Sequence, residues 1–356
     1  MSYKIEFKNG TFKEFDSLAG ADLRMADPYE EFITASTAGL ASPTCAPSKH
    51  IRGPFPWLGR KGGAKIRAAV LANLPPHTCY VEPFGGAASI LLNKPLAAQE
   101  TYNDINSYVV NFFRVLVDPT LFRRFYGILR NLPYSRDFYK EYNAGYRDEK
   151  DPARQAAMWY LVARQTFGGI MDHEAWGFGV SDASLQTAAW LSSFDNLLRV
   201  RDRMQHVQIE NVDWRVCLKR FCGDGYLAYC DPPYVMDTRK DAVYENEMQN
   251  SDHAELVQAL MDYDGAVVLS GYNSPIYQPL LDGGWERRTF EVVCTCAART
   301  RNSRLQGEGA CLKSAMRTEC LWLNPDALRR RRQVHPSLFD QAPEQCETRP
   351  EGGKRP

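Results

Sequence analysis

The chain has 356 residues, 44% apolar and 24% charged, which fits a soluble globular protein of one domain with an insertion or of two domains. Its 43 basic and 43 acidic side chains cancel, so net charge advertises no polyanionic partner, and no apolar run reaches the roughly 18 residues a membrane span needs. Ten cysteines contain no C-x2-C pair and no histidine cluster to complete a zinc site, so no metal is expected and the thiols read as reduced residues of a cytoplasmic protein.

The N-terminus, MSYKIEFKNGTFKEFD, alternates charged and apolar residues and lacks the apolar core of a secretion signal. Residues 1–50 read as an extension, since ITASTAGLASPTCAPSKH suits a linker better than a packed element. From Pro54 the texture changes. The stretch FPWLGRKGGAKIR offers Trp57 and Lys61, an aromatic and a cation able to hold a ring and a carboxylate. Taken alone, a glycine-rich connector is the simpler reading.

TCYVEP predicts a buried strand over 78–83, followed by a turn at Phe84-Gly85-Gly86 and a helix over AASILLNK. Glycines there admit close approach to the backbone, and a helix start offers unpaired N–H groups. The dinucleotide fingerprint G-x-G-x-x-G is excluded, because the two glycines are adjacent and no third follows. ETYN predicts a second strand and SYVVNFFRVLVD a helix. Between them Asp104, in YNDIN, stands where α/β nucleotide sites place an acid for ribose hydroxyls; a helix N-cap is the other reading.

From 118 to 205 four helical patterns follow one another, broken by the glycine- and aromatic-rich GGIMDHEAWGFGVSD, a loop or hairpin. HVQIENVD, GYLAYCDPP and DGAVVLSGY then predict three more strands separated by helical patterns. Strands alternating with helices give the fold class: α/β, a mostly parallel, Rossmann-like doubly wound sheet with an inserted helical module. The strand before Asp231 must stop at Pro232-Pro233, since proline fixes φ and cannot donate to a ladder. Arginines cluster from Arg287 to Arg332, and the polar tail from about Asn324 is expected to be disordered.

In this order, Trp57-x-Gly59-x-Lys61, VEPFGG, NDIN and DPPY resemble the Dam-like (D12 class, alpha-group) DNA adenine-N6 methyltransferases, most of all their phage and prophage branch. The resemblance runs from about Pro54 to Pro325 and includes FFRVLVDP, RQTFGG, LSGYNSP, SRLQGEGA and RTECLWLNP. It implies S-adenosylmethionine as cofactor, contacted by Trp57 and Lys61. Arg60 replaces the family's second glycine and GGAK follows, so Lys65 competes with Lys61, which is favoured. Glu82, Phe84 and Gly85 match the cofactor-binding turn, Asp104 the ribose acid, and Asp213 the acid near the cofactor's adenine, with a helix cap as its other reading. Asp231, also beside the cofactor, forms with Pro232, Pro233 and Tyr234 the catalytic motif.

The residue types suit that chemistry. The exocyclic N6 of adenine is a poor nucleophile because its lone pair is delocalised into the ring. The Asp231 carboxylate and Pro232 carbonyl, aimed at its two hydrogens, favour a pyramidal nitrogen, and an ionised carboxylate only accepts. Tyr234 would stack on a base swung from the duplex. The rivals are cytosine-N4 methylation, whose enzymes usually carry Ser or Asn at this Asp, and a non-catalytic DNA-binding protein on the same scaffold.

The resemblance also implies an organisation: extension 1–50, catalytic part 51–117, target recognition insertion 118–205, catalytic part 206–325 and tail 326–356. Arg164, Gln165 and the loop from Gly168 to Val180 are the candidate DNA contacts, with Trp176 and Phe178 as wedges. Arg299, Arg301 and Arg304 are the candidate phosphate contacts. Double-stranded DNA is the expected partner of a monomeric cytoplasmic enzyme, with a cognate restriction endonuclease as a possible companion.

Overall fold

In the computed structural model, residues 3–6, 12–15, 50–57, 61, 63–166, 176–177, 184–235, 247–294 and 315–334 are described. Residues 1–49 and 50–356 form two separate units. The first contains a hairpin: β1 (Tyr3–Glu6) pairs antiparallel with β2 (Phe12–Phe15), Tyr3 opposite Phe15.

The second unit begins with α1 (Ala64–Asn73), then β3 (Cys79–Glu82) and β4 (Gln99–Asn103). Five helices follow: α2 (Ser107–Val117), α3 (Pro119–Arg130), α4 (Arg136–Gly145), α5 (Pro152–Gln165) and α6 (Ser184–Met204). Then come β5 (Gln208–Glu210), α7 (Trp214–Arg220), β6 (Tyr226–Cys230), α8 (Asn250–Met261) and β7 (Ala266–Gly271). A 3-10 turn (Pro275–Tyr277) and α9 (Gln278–Asp282) lead to β8 (Glu286–Cys294), β9 (Ala315–Leu323) and α10 (Pro325–Val334). Among the described residues no helix is long and apolar enough to cross a membrane.

Among the described residues the sheet has seven strands in the order β5-β4-β3-β6-β7-β9-β8. Neighbours from β5 to β7 run parallel, and β9 enters antiparallel between β7 and β8. Strands buried on both faces read as nearly continuous apolar runs, as AVVLSG does in β7, where all six residues are buried. Alternate side chains serve opposite faces. Val81, Ala228, Cys230, Val267 and Leu269 join Trp214 and Leu218 of α7 and Leu256, Val257 and Leu260 of α8 in one core cluster.

The helices between β4 and β5 share a core with the segment before α1. Phe112 of α2 stacks on Tyr160 of α5 with centroids 5.4 Å apart, and Phe55 meets Trp159 edge-on at 4.8 Å. Asp118, Ser135 and Asp151 cap α3, α4 and α5 through their side chains, and Pro119 and Pro152 stand in the first turns of α3 and α5. Buried Glu100 of β4 pairs with Lys94 Nζ and with Arg203 Nη1 of α6, each at 2.5 Å, tying the last insertion helix to the sheet.

Two expectations are corrected. AASILLNK forms successive turns rather than a helix. Ala88 takes a left-handed φ of 54°, and the Leu91 N–H bonds Glu82 Oε1 at 2.8 Å instead of a carbonyl one turn back. The tail, expected to be disordered from 326, opens with α10. Asn324 Oδ1 accepts from the N–H groups of Val267 and Ala327, and Ala327 is buried, so tertiary contacts start this helix. Residues beyond 334 lie outside the described set.

Candidate active site

The sheet's direction of growth reverses between β3 and β6: one half continues to β4 and β5, the other to β7. Ligands of open α/β sheets bind in the crevice outside the carboxyl ends of the strands at such a switch point. Here the ends carry Glu82 (β3), Asn103 and Asp104 (β4) and Asp231 (after β6).

Asn103 ties the strand ends together. Its amide donates to Pro83 O at 2.9 Å and Val212 O at 3.0 Å, and accepts from Val212 N at 3.0 Å. Gly85 N donates to Asn103 O at 2.8 Å. A Cβ on Gly85 would stand 2.1 Å from the Tyr102 ring, and one on Gly86, at φ +47°, would stand 2.7 Å from Trp57 Nε1. The two glycines thus make room for aromatic rings of the protein itself, buried Tyr102 and half-buried Trp57. The expected helix N-terminus is absent at this turn; instead Gly86 N donates to Asp104 Oδ2 at 2.8 Å and Tyr102 OH donates to Gly86 O at 2.7 Å.

Asp104 is buried, and its Oδ1 accepts from Asn106 N at 2.8 Å. Burial raises its pKa, opposed by bonds from the backbone of Asn106, Gly86 and Ile105. The cap of α2 is Asn106, which accepts from Tyr108 N and Val109 N. Asp104 is therefore held in the crevice, and next to it Ile105 is 52% exposed, an apolar surface that sequence reasoning missed. Phe84 is half-buried, 6.2 Å from Trp214.

Glu82 Oε1 accepts from Tyr80 OH at 2.6 Å as well as from Leu91 N. Burial nonetheless pushes its carboxyl up to about 8, outweighing both bonds, and nearby Asp231 adds to the rise. Asp213 caps α7 by accepting from Arg215 N at 2.8 Å and pairs with the Arg215 guanidinium at 3.3 Å. It follows Val212, which Asn103 binds, so it borders the crevice.

Lys61 is 3% exposed and donates to Asp231 Oδ1 at 2.7 Å and to Tyr234 OH at 2.5 Å. Lys65 lies exposed on α1. The geometry therefore selects Lys61 for the crevice. Asp231 is raised by burial, while Lys61 lowers it through its charge and hydrogen bond, and Glu319 raises it again. Tyr234 is buried; its hydroxyl donates to Glu319 Oε2 at 2.7 Å, and Tyr272 meets its ring edge-on at 4.6 Å. Sequence reasoning missed Glu319 and Tyr272.

On the insertion, Gln165 has no exposed surface, and its Oε1 accepts from Trp176 Nε1 at 3.1 Å. Trp176 also bridges to Thr166, packs on Tyr134 at 5.4 Å and lies under Arg136 at 4.9 Å. Gln165, expected among the DNA contacts, is thus buried with its side-chain oxygen taken up by Trp176. Arg164 donates to Ala189 O at 3.1 Å and so links α5 to α6. Phe178, Arg299, Arg301 and Arg304 lie outside the described residues.

Sheet order, with Glu82, Asp104 and Asp231 at the strand ends and Lys61 paired to Asp231, marks a Rossmann-like α/β protein with its polar groups at the switch point. The chain belongs to the D12 class N6 adenine-specific DNA methyltransferases, whose family model matches residues 60–282. It is similar to the DNA adenine methylases of Escherichia coli K12 and Escherichia coli O157:H7, 22% identical to each over 229 residues, which cover 61% of this chain and 80% of each relative. Membership sets the reaction: a methyl group passes from a donor to N6 of adenine in DNA, and the cytosine-N4 alternative is not favoured.

Proposed function

We propose that the methyl donor is S-adenosylmethionine, held in the crevice between β3, β4 and β6, and that Asp231, Pro232, Pro233 and Tyr234 act on an adenine swung out of duplex DNA. The observation that carries this reading is the contact of Lys61 with both Asp231 and Tyr234 at the end of β6, beside the switch point on whose other side Asp104 follows β4.

The donor set fits that cofactor chemically. A ribose needs an acceptor for its hydroxyls, which Asp104 supplies; an adenine ring needs apolar walls, which Phe84 and exposed Ile105 supply; a carboxylate needs a cation, which Lys61 supplies. Trp57 closes the crevice over Gly86. Asp213 borders the adenine side, and Glu82 faces Asp231 from β3. When bound, the cofactor supplies an electrophilic methyl carbon.

The protein's own work is alignment. Asp231 and the Pro232 carbonyl accept the two amino hydrogens and draw the N6 lone pair out of conjugation. Two consecutive prolines limit reorganisation of that carbonyl. For DNA, the loop from Gly168 to Val180 is proposed as the reading element, with Arg164 and Trp176 at its base. Arg299, Arg301 and Arg304 are proposed as phosphate contacts on sequence alone.

Calorimetric titration with S-adenosylhomocysteine, the demethylated cofactor, tests the reading. Saturable binding is expected, weakened about tenfold or more by Asp104→Ala, which removes charge-assisted hydrogen bonds. Absence of binding to the native chain would contradict it.

A further inference from the structure

Glu319 lies on β9, opposite Phe290 of β8, far in sequence from every residue of the crevice. It is buried, and a buried carboxylate needs partners to offset lost hydration. Its partner is the hydroxyl of Tyr234, which donates to Oε2 at 2.7 Å. That hydroxyl has one hydrogen. Since it points to Glu319, a lone pair faces Lys61, whose ammonium can only donate and reaches the oxygen at 2.5 Å. A second hydrogen of Lys61 goes to Asp231 Oδ1 at 2.7 Å. The result is a directed chain, Asp231–Lys61–Tyr234–Glu319, in which the donor and acceptor roles follow from the chemistry of each group.

We propose that Glu319 is a positioning residue of the methyl-transfer site: it fixes the direction of the Tyr234 hydroxyl and thereby holds Lys61 against Asp231. This rests on the reading of Asp231 as acceptor of the adenine amino group. The strand itself gives Glu319 a fixed origin. β9 is paired on both sides, with β7 and β8, so the carboxylate is anchored to the sheet rather than to a loop. Tyr234 follows the end of β6, and its hydroxyl is held by Lys61 and Glu319.

The charge of Glu319 also acts on Asp231. The groups facing Asp231 are Lys61, Glu82 of β3, Tyr229 and Cys230 of β6, Tyr234, Tyr277 of the 3-10 turn, and Glu319. Of these Lys61, and more weakly Tyr234, favour its ionised form, and Glu319 opposes it. Removing the Glu319 charge while keeping an acceptor therefore makes Asp231 easier to ionise.

Single-turnover methylation of duplex DNA across a pH series, with Glu319→Gln, Glu319→Leu and each combined with Tyr234→Phe, tests the proposal. Glu319→Leu is expected to slow transfer about ten- to a hundredfold. Glu319→Gln, which still accepts from Tyr234, is expected to keep most of the rate and to move the acid limb to lower pH. In the Tyr234→Phe background neither change should slow transfer further, because the link is already cut. Unchanged rate and acid limb in both single variants, or an equal added loss in the Tyr234→Phe background, would overturn the proposal. If Glu319→Leu does not fold, as read by thermal unfolding, the pH profile of Glu319→Gln and its cycle with Tyr234→Phe decide alone. A native chain that methylates no adenine would fail the functional reading instead.

Discussion

Lys61 Nζ lies 2.7 Å from Asp231 Oδ1, joining the segment before α1 to the end of β6 across 170 residues of sequence. Neither group is comfortable in the crevice alone: burial disfavours the Asp231 charge, and a buried ammonium needs an acceptor. The fold brings them together where the sheet reverses direction.

Lys61→Met removes the largest influence that lowers the Asp231 pKa and leaves burial and Glu319 to raise it against Tyr234 alone. The carboxylate then protonates at higher pH, so the acid limb of kcat/KM should move to higher pH. At neutral pH kcat/KM should fall about a hundredfold, as expected for loss of a buried charge pair. Lys65→Met, on the exposed side of α1, should change neither the limb nor the rate.

Gly85→Ala places a methyl group 2.1 Å from the ring of Tyr102, a fully buried side chain anchored through its hydroxyl to Gly86 O. The ring has little room to give, so unfolding free energy should drop by about 3 kcal/mol, measured by urea denaturation. Binding of S-adenosylhomocysteine should weaken with it, because the same turn holds Asp104 through Gly86 N. A native urea midpoint would show that the turn adapts.

The strand ends were legible because buried parallel strands read as short apolar runs, and Glu82, Asn103 and Asp231 stop them with groups that cannot continue a core. The insertion helices were legible for a local reason too: Asp118 and Asp151 precede prolines that favour a first turn. AASILLNK misled because its composition suits a helix, whereas the backbone there answers to Glu82, a partner nine residues away. At NDIN the acid reads as the cap, and only the bonds from Tyr108 N and Val109 N show that Asn106 takes that role while Asp104 binds Gly86 N. Gln165 offered a polar side chain beside a loop, and nothing local reveals that Trp176 claims it. Glu319 was invisible for the plainest reason. An acid between Thr318 and Cys320 acquires meaning only once β9 is inserted beside β7.

Glu82 gives a pH signature in stability. Its carboxyl stands at about 8 in the fold against an ordinary 4.5, so between those values the folded chain keeps a proton that the unfolded chain releases. Its contribution is therefore fully present below the ordinary value, declines as pH rises through the window, and is lost above about 8. Glu82→Gln should flatten that slope in the urea midpoint. An equally steep decline in the variant would assign the slope to other groups.

Transfer of labelled methyl groups to duplex DNA, followed by nucleoside analysis, bears most directly on Asp231 as the acceptor for adenine N6. The native chain should place label on N6 of adenine, and Asp231→Ala should abolish transfer while still binding S-adenosylhomocysteine. Label on cytosine, or undiminished transfer by Asp231→Ala, would contradict that role.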